Sequence, residues 1–312
     1  MAQLNLLDLA QRSGNDQVIG LVDDVLFNSP EIQHLPVLPK KGTTYRIGRR
    51  TAFPTASFSK PGAGVAPSKS QFETQVASLH FLDVQLRVPE AIVKADDGSV
   101  GDLLSTEARG AVNAAFITLG TQMYYGQSAD PNGFLGLQNV INGDSNFEIS
   151  AGGTGGSSSS AYLVRLANDG VSLAVGNDGA LDMGIWNKIQ VNASGTNSSP
   201  LVQMAYCNNF SGFFGLTVAS QYSVWRVKLI DATHPLTDAL AAQLMALVPI
   251  QYRHGLRWFM TRQAAYLLQK SRTAINYQPA IDGSGNPAFA PAPTTLEGVP
   301  ITITDSLKNG TE

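Results

Sequence analysis

The chain has 312 residues, 43% of them apolar, and carries 21 Lys and Arg against 24 Asp and Glu, a formal charge of −3. That length suits two lobes, and no run of about 18 apolar residues offers a membrane span. Only 14% of residues are charged, below the usual quarter, which favours a protein that spends its life assembled.

Residues 1–16 have neither the basic nor the apolar region of a secretory signal. The sequons at Asn192, Asn197, Asn209 and Asn309 therefore imply no glycosylation. The single Cys207 excludes an internal disulfide, fits a reducing compartment and reads as a small buried hydrophobe.

Residues 1–39 hold two apolar-periodic pieces, one with Leu4, Leu6 and Leu7, the other with Val18, Leu21, Val22, Val25 and Leu26. They predict short helices on an N-terminal arm, the second stopped by Asn28-Ser29-Pro30.

Residues 40–69 contain seven basic side chains and no acidic one: Lys40, Lys41, Arg46, Arg49, Arg50, Lys60 and Lys69. The other 282 residues carry 14 basic against 24 acidic groups, or −10. Pro54, Pro61, Gly62, Gly64 and Pro67 exclude a helix or central strand through the middle of this stretch. It predicts an extended arm with little core of its own, built to touch something negative, either nucleic acid or an acidic face of another copy. Residues 43–58 are the expected outgoing limb. The strictly alternating residues 82–88 are the expected return limb, with turn chemistry over 59–70.

The strongest helix follows. Asp96-Asp97-Gly98 is a turn, and Ser99 with Asp102 three residues on forms a capping box. Val100, Leu104, Ala108, Ala111, Val112, Ala115, Phe116, Leu119 and Met123 recur at helical spacing, and Gly126 suits the left-handed position beyond the end. A helix over residues 100–125 would run about 39 Å, over twice the mean helix length, and would be a spine. Leu104, Val112, Phe116, Leu119 and Met123 are its expected core stripe.

Residues 127–160 are loop-rich, and the Gly/Ser run 152–160 lacks the Gly-Lys-Ser/Thr of a phosphate loop. Strands are predicted at 162–164, 171–175, 189–191, 201–206, 216–218 and 222–230, separated by turns as in an antiparallel sheet. Thr237-Asp238 opens a helix with Leu240, Leu244 and Leu247 that ends before Pro249. Trp258-Phe259-Met260 reads as a buried strand, 262–270 as a helix, 276–295 as loop and 298–303 as a closing strand, with Pro300 marking an edge or bulge.

No residue pattern supports an enzyme. His34, His80, His234 and His254 are scattered and fit no metal-ligand spacing. There is no Gly-x-Ser-x-Gly elbow, no Cys–His pairing in sequence reach and no dinucleotide fingerprint. Asp23-Asp24 and Asp96-Asp97 suit helix starts and solvation better than acid–base work. Trp225, Trp258 and Phe259 lie in periodic apolar segments and read as core rather than as a stacking platform. No catalytic, cofactor or metal site is expected.

The order of parts resembles the tailed-bacteriophage major capsid protein of the Hong Kong 97 fold. Tyr124-Tyr125-Gly126 followed by Asp130-Pro131-Asn132-Gly133-Phe134-Leu135-Gly136-Leu137 looks like that family's spine exit. Tyr162-Leu163-Val164-Arg165, Gly215-Leu216-Thr217-Val218 and Tyr222-Ser223-Val224-Trp225-Arg226-Val227 resemble the β-rich segments of one podophage and siphophage subfamily. Arg257-Trp258-Phe259-Met260-Thr261-Arg262 is similar to the aromatic-Met strand of the axial domain, and Leu296-Glu297-Gly298-Val299-Pro300-Ile301 with Asp305 to the closing segment. Order and spacing over nearly the whole chain carry the likeness, not any single motif.

The resemblance implies an α+β chain. It would have an N-terminal arm (1–39), a basic β-hairpin extended loop (40–90), a peripheral domain (91–133 and 276–312) with the spine, and a mixed α/β axial domain with a β-rich insertion (134–275). It implies pentamers and hexamers tiling an icosahedral head around double-stranded DNA bound without sequence specificity. The hairpin would lie over the next subunit, where Arg46, Arg49 and Arg50 meet acidic groups, and the arm would lace under adjacent copies. A separate scaffolding protein, a portal and a cement or decoration protein are the further partners, with assembly in the bacterial cytoplasm. Some relatives crosslink a loop Lys to an Asn; Lys60 and Lys69 lie on such a loop, but nothing marks a catalytic acid, so no crosslink is expected. The alternatives are a cellular nanocompartment shell of the same fold and a single-stranded nucleic-acid-binding module. The second would interleave aromatics with the basic residues, and only Tyr45, Phe53 and Phe58 do so. A secreted adhesin or fibre conflicts with the missing signal and the spine helix.

Overall fold

The computed structural model describes residues 29–95, 100–141, 143–154, 156, 158–179, 181–196, 199–275 and 291–310. The helices expected within residues 1–28, the Asp23-Asp24 pair, the 96–99 turn and residues 276–290 of the expected loop lie outside that set.

The first half runs α1 (Glu31–His34), β1 (Val37–Pro39), β2 (Thr44–Ala52), β3 (Gln71–Ser78), β4 (His80–Pro89), α2 (Glu90–Ala95) and α3 (Val100–Tyr125). Then come α4 (Leu137–Ile141), β5 (Glu148–Ser150), β6 (Ser159–Arg165), β7 (Val171–Val175), β8 (Asp182–Met183), β9 (Asn187–Thr196), β10 (Ser199–Val218) and β11 (Val224–Ile230). The chain closes with α5 (Asp238–Leu247), β12 (Leu256–Met260), α6 (Arg262–Ile275), β13 (Thr295–Leu296) and β14 (Val299–Ile303). One sheet has the order β1-β7-β10-β4, with β8 and β9 also paired to β10; a second runs β13-β14-β12-β6-β11-β5; β2 and β3 form a separate ribbon. The fold is α+β, and its sheets are mixed: β1–β7, β5–β11 and β12–β14 pair in parallel.

The spine α3 spans the expected residues. Its inward face differs from the expected stripe. Leu104, Leu119 and Met123 are buried, but Val112 is half-buried and Phe116 is 37% exposed. Ala111 and Ala115 take the inward positions instead, because small side chains let the neighbouring layer approach the helix closely. Beyond the end, Gly126 has φ +54°, as expected, and a Cβ there would overlap the backbone of Gly136. Buried Gln122 donates from Nε2 to the carbonyls of Phe134 (2.8 Å) and Asp130 (3.2 Å). The spine exit is therefore a turn clamped onto the helix that precedes it.

The expected return limb, 82–88, is not part of the hairpin. As β4 it pairs with β10 in the main sheet, and β3 is the limb that returns against β2. The alternation itself explains this: a half-buried strand needs a body to bury against, and Val88 packs with Ile92, Val93, Leu103 and Leu104. A second difference is β10, which runs unbroken for 20 residues where two strands were expected. Asn208, Asn209, Gly212 and Gly215 look like turn residues, but each is paired along one edge, the first three with β4 and Gly215 with β7, and the strand stays extended through them.

Two larger cores flank the second sheet. One joins the C-terminal half of the spine to β6 and β7 through Tyr124, Tyr162, Leu173 and Phe259; the other packs α5 and α6 on Trp225 and Trp258. Thr237 caps α5, its hydroxyl accepting from the Leu240 N–H at 3.2 Å. Arg226 alternates along β11 as if solvated, yet it is 6% exposed. It donates to Ser160 Oγ (2.8 Å), pairs with Glu148 at 3.3 Å and lies over the Tyr162 ring; Lys228 shares the same carboxylate.

Candidate functional site

Among the described strands β2 and β3 pair only with each other, so the outer edges of the ribbon are available to a partner. Directly opposed residues share a face. Arg46, Gly48 and Arg50 lie with Val76, Thr74 and Phe72, while Tyr45, Ile47 and Arg49 lie with Ala77, Gln75 and Glu73. The first face is exposed and, on β2, the second is half-covered. Residues 53–69, joining the strands, are exposed throughout.

The predicted basic residues separate into two groups. Four have partners inside the subunit. Arg49 binds Glu73 across the ribbon at 2.7 Å, and Lys41 pairs with Asp178 at 3.1 Å. The Arg50 guanidinium lies over both the Phe53 and Phe72 rings, 5.4 and 5.3 Å from their centres, and Lys40 Nζ sits 4.8 Å from the centre of Tyr45. Arg46, Lys60 and Lys69 make no ion pair with any described residue. Arg49, Arg50 and Thr51 also face Ala219, Ser220, Gln221, Tyr222 and Tyr252 across an open cleft of about 290 Å³. Behind it Tyr222 and Tyr252 stack at 5.6 Å, and the buried Arg165 lies over Tyr252.

Sequence reasoning weighted the cations and undervalued the aromatics. Phe53 is 78% exposed, Phe72 69%, and Phe58 is fully exposed. Large apolar residues beside Pro and Gly in a stretch that cannot fold on itself were the available signal. Such side chains in water favour a surface that covers them. Glu73, just beyond the basic stretch, was missed because its partner lies 24 residues away.

The histidines have separate surroundings. His80 Nδ1 bonds the Asn132 carbonyl (2.8 Å), His254 bonds Arg165 (3.0 Å), and His234 sits beside Asp231 and Thr233. The Asp231 carboxylate, accepting from Thr233 and His234, is held well below the usual range. Among the described residues no group of His, Cys, Asp or Glu is placed to hold a metal ion. No described helix is long and apolar enough to cross a membrane.

The family of major capsid protein GP7 matches residues 27–312. The chain belongs to that family. This capsid protein is also similar in structure to a chain of bacteriophage Epsilon15, with TM-score 0.71 and 16% identity over 99% of this chain and 96% of that one. A chain of Mycobacterium phage Cain gives TM-score 0.51 and 11% identity over 72% of this capsid protein and 98% of its own length. At those identities the likeness is one of fold, the Hong Kong 97-like capsid fold. No functionally curated sequence matches this capsid protein.

Proposed function

We propose that this capsid protein assembles as pentamers and hexamers into the icosahedral head that encloses a tailed phage's double-stranded DNA. The observation that carries this is the free-standing ribbon. It exposes Phe53, Phe58 and Phe72 beside the cations Arg46, Lys60 and Lys69, which make no ion pair with any described residue. Apolar rings and cations together suit a protein surface bearing acidic groups, which the next copy supplies: the rest of the chain carries −10. The same charge disfavours a tight grip on DNA phosphates.

In this scheme the ribbon β2–β3 with its connecting loop forms the extended loop laid on the neighbour, β4 staying in the main sheet of its own subunit, and the chain before β1 supplies the arm beneath adjacent copies. Residues 91–133 with 276–312 make the peripheral domain, and 134–275 the axial lobe at the ring centre. The protein works by binding copies of itself rather than by catalysis. A scaffolding protein and a portal take part in assembly in the host cytoplasm, and a cement protein decorates the finished head where one exists.

Negative-stain electron microscopy tests this on the chain expressed alone and with the products of neighbouring phage genes. Closed angular particles or five- and six-fold rings are expected. Monodisperse monomers under both conditions, with a salt-dependent shift of single-stranded nucleic acid on a gel, would replace the shell with a binding module.

A further inference from the structure

Glu31 opens α1 and is fully buried. Its Oε2 accepts from the Thr304 hydroxyl at 2.7 Å; its Oε1 has no hydrogen-bond partner, although the Ser306 hydroxyl lies nearby. The cradle is made by Gly120 of the spine. A Cβ there would overlap both Glu31 Oε1 and Ser306 Oγ, and would fall 2.8 Å from Ser29 Oγ. Ser29 and Ser306 meet at 2.9 Å. One carboxyl thus joins the N-terminal segment, the spine and the C-terminal segment at a point reserved for it by a glycine.

No described cation pairs with this carboxyl. From the C-terminal segment the charged group that acts on it is Asp305, itself bound to Arg262 at 2.7 Å. From the spine Tyr124 faces it, a buried phenol held neutral by desolvation. On α1 itself, His34 is held below its ordinary value by burial and by Arg257. A buried carboxylate without a cation is costly, so burial favours the neutral form of the seated group.

We propose that Glu31 is a protonated plug whose ionisation releases residues 29–35 from the spine, so that the N-terminal segment loosens as pH rises. The hinge is Pro36. Its carbonyl accepts from Leu173 N, and β1 just beyond it stays paired with β7. Release also withdraws Leu35 and Ile32 from the spine cluster. Burial raises the seated carboxyl above its ordinary 4.5; the Ser306 and Thr304 hydroxyls offset this in part, and Asp305 adds to it. The sign follows. Below 4.5 both seated and released forms hold the proton and the attachment is fully present. Above it the released form ionises first, and the attachment is lost as pH rises through the seated value. The device lies within one subunit and does not depend on how copies assemble.

Hydrogen–deuterium exchange of the full chain from about pH 4 to about pH 9 tests it, each variant being compared with wild type at the same pH so that intrinsic rates cancel. Opening at amides 31–35 is expected to rise about tenfold per pH unit between the two values in wild type. E31Q, which cannot ionise, should stay flat. G120A, which evicts the carboxyl, should expose these amides at every pH while β6 and β12 remain protected. The same rise in E31Q, a flat wild type, or a G120A profile like wild type would each overturn the plug. Should E31Q fail to fold, the wild-type and G120A profiles decide between the outcomes.

Discussion

Arg49 donates to one oxygen of Glu73 directly across the hairpin, from Nη2 at 2.7 Å and from Nε at 3.1 Å. The pair is open to water and worth about 0–1 kcal/mol, so it tunes the register of the ribbon more than it stabilises the subunit. Its neighbour Arg50 occupies the other face, between Phe53 and Phe72. The two adjacent arginines therefore have separate roles. R49E/R50E is expected to leave the circular dichroism spectrum native and to abolish shells in electron micrographs. The charge swap R49E/E73R, which keeps the cross-strand pair, should assemble. Normal particles from R49E/R50E would remove the role assigned to the hairpin.

The spine offers a contrast between two positions that read alike in sequence. Leu104 is 7% exposed and packs with Val88 and Ile92, whereas Phe116 is 37% exposed. L104D puts an unpaired carboxylate into that cluster and should cost at least about 4 kcal/mol, enough to lose cooperative unfolding. F116D should cost about 1 kcal/mol. Thermal denaturation of both variants distinguishes them; equal losses would show that the inward face is misassigned.

The spine exit depends on close approach. A Cβ on Gly136 would overlap Gly126 and sit 2.7 Å from the Tyr124 carbonyl. G136A is expected to destabilise by about 1–3 kcal/mol, because backbone atoms must move. Q122A leaves the Phe134 carbonyl without this donor, while Asp130 keeps the Gly133 N–H, and should cost about 1–3 kcal/mol. Chemical denaturation measures both, and a Q122A midpoint equal to wild type would show that the exit turn holds without the clamp.

Lys60 and Lys69 lie on an exposed loop without an ion pair to any described residue. Assembled shells boiled in detergent should run as a single band at 33.1 kDa. A ladder of multiples that disappears in K60A or K69A would establish the covalent bond that the sequence offered no acid to catalyse.

Elements specified by contacts within a turn or two were legible in the chain itself. The spine over Val100–Tyr125, the Thr237 cap and the left-handed Gly126 each rest on neighbours close in sequence, and the apolar run Trp258-Phe259-Met260 marks a buried strand even though β6 and β14, distant in sequence, pair with it. So does the basic stretch, whose Pro and Gly content forbids a packed core. The order of these parts was enough to suggest the capsid fold. Partners distant in sequence decided the rest. β4 left the hairpin because β10 offered it a sheet, and β10 stayed whole because β4 paired its Asn208, Asn209 and Gly212 and β7 its Gly215. Arg226 is buried because Glu148, 78 residues away, lies beside it. Phe116 lost its place to Ala111 and Ala115 because the packing layer, not the period, sets how wide the buried face is. Periodicity and capping are local and can be read along the chain, whereas the choice of which apolar or charged groups meet is made only when distant segments close on one another.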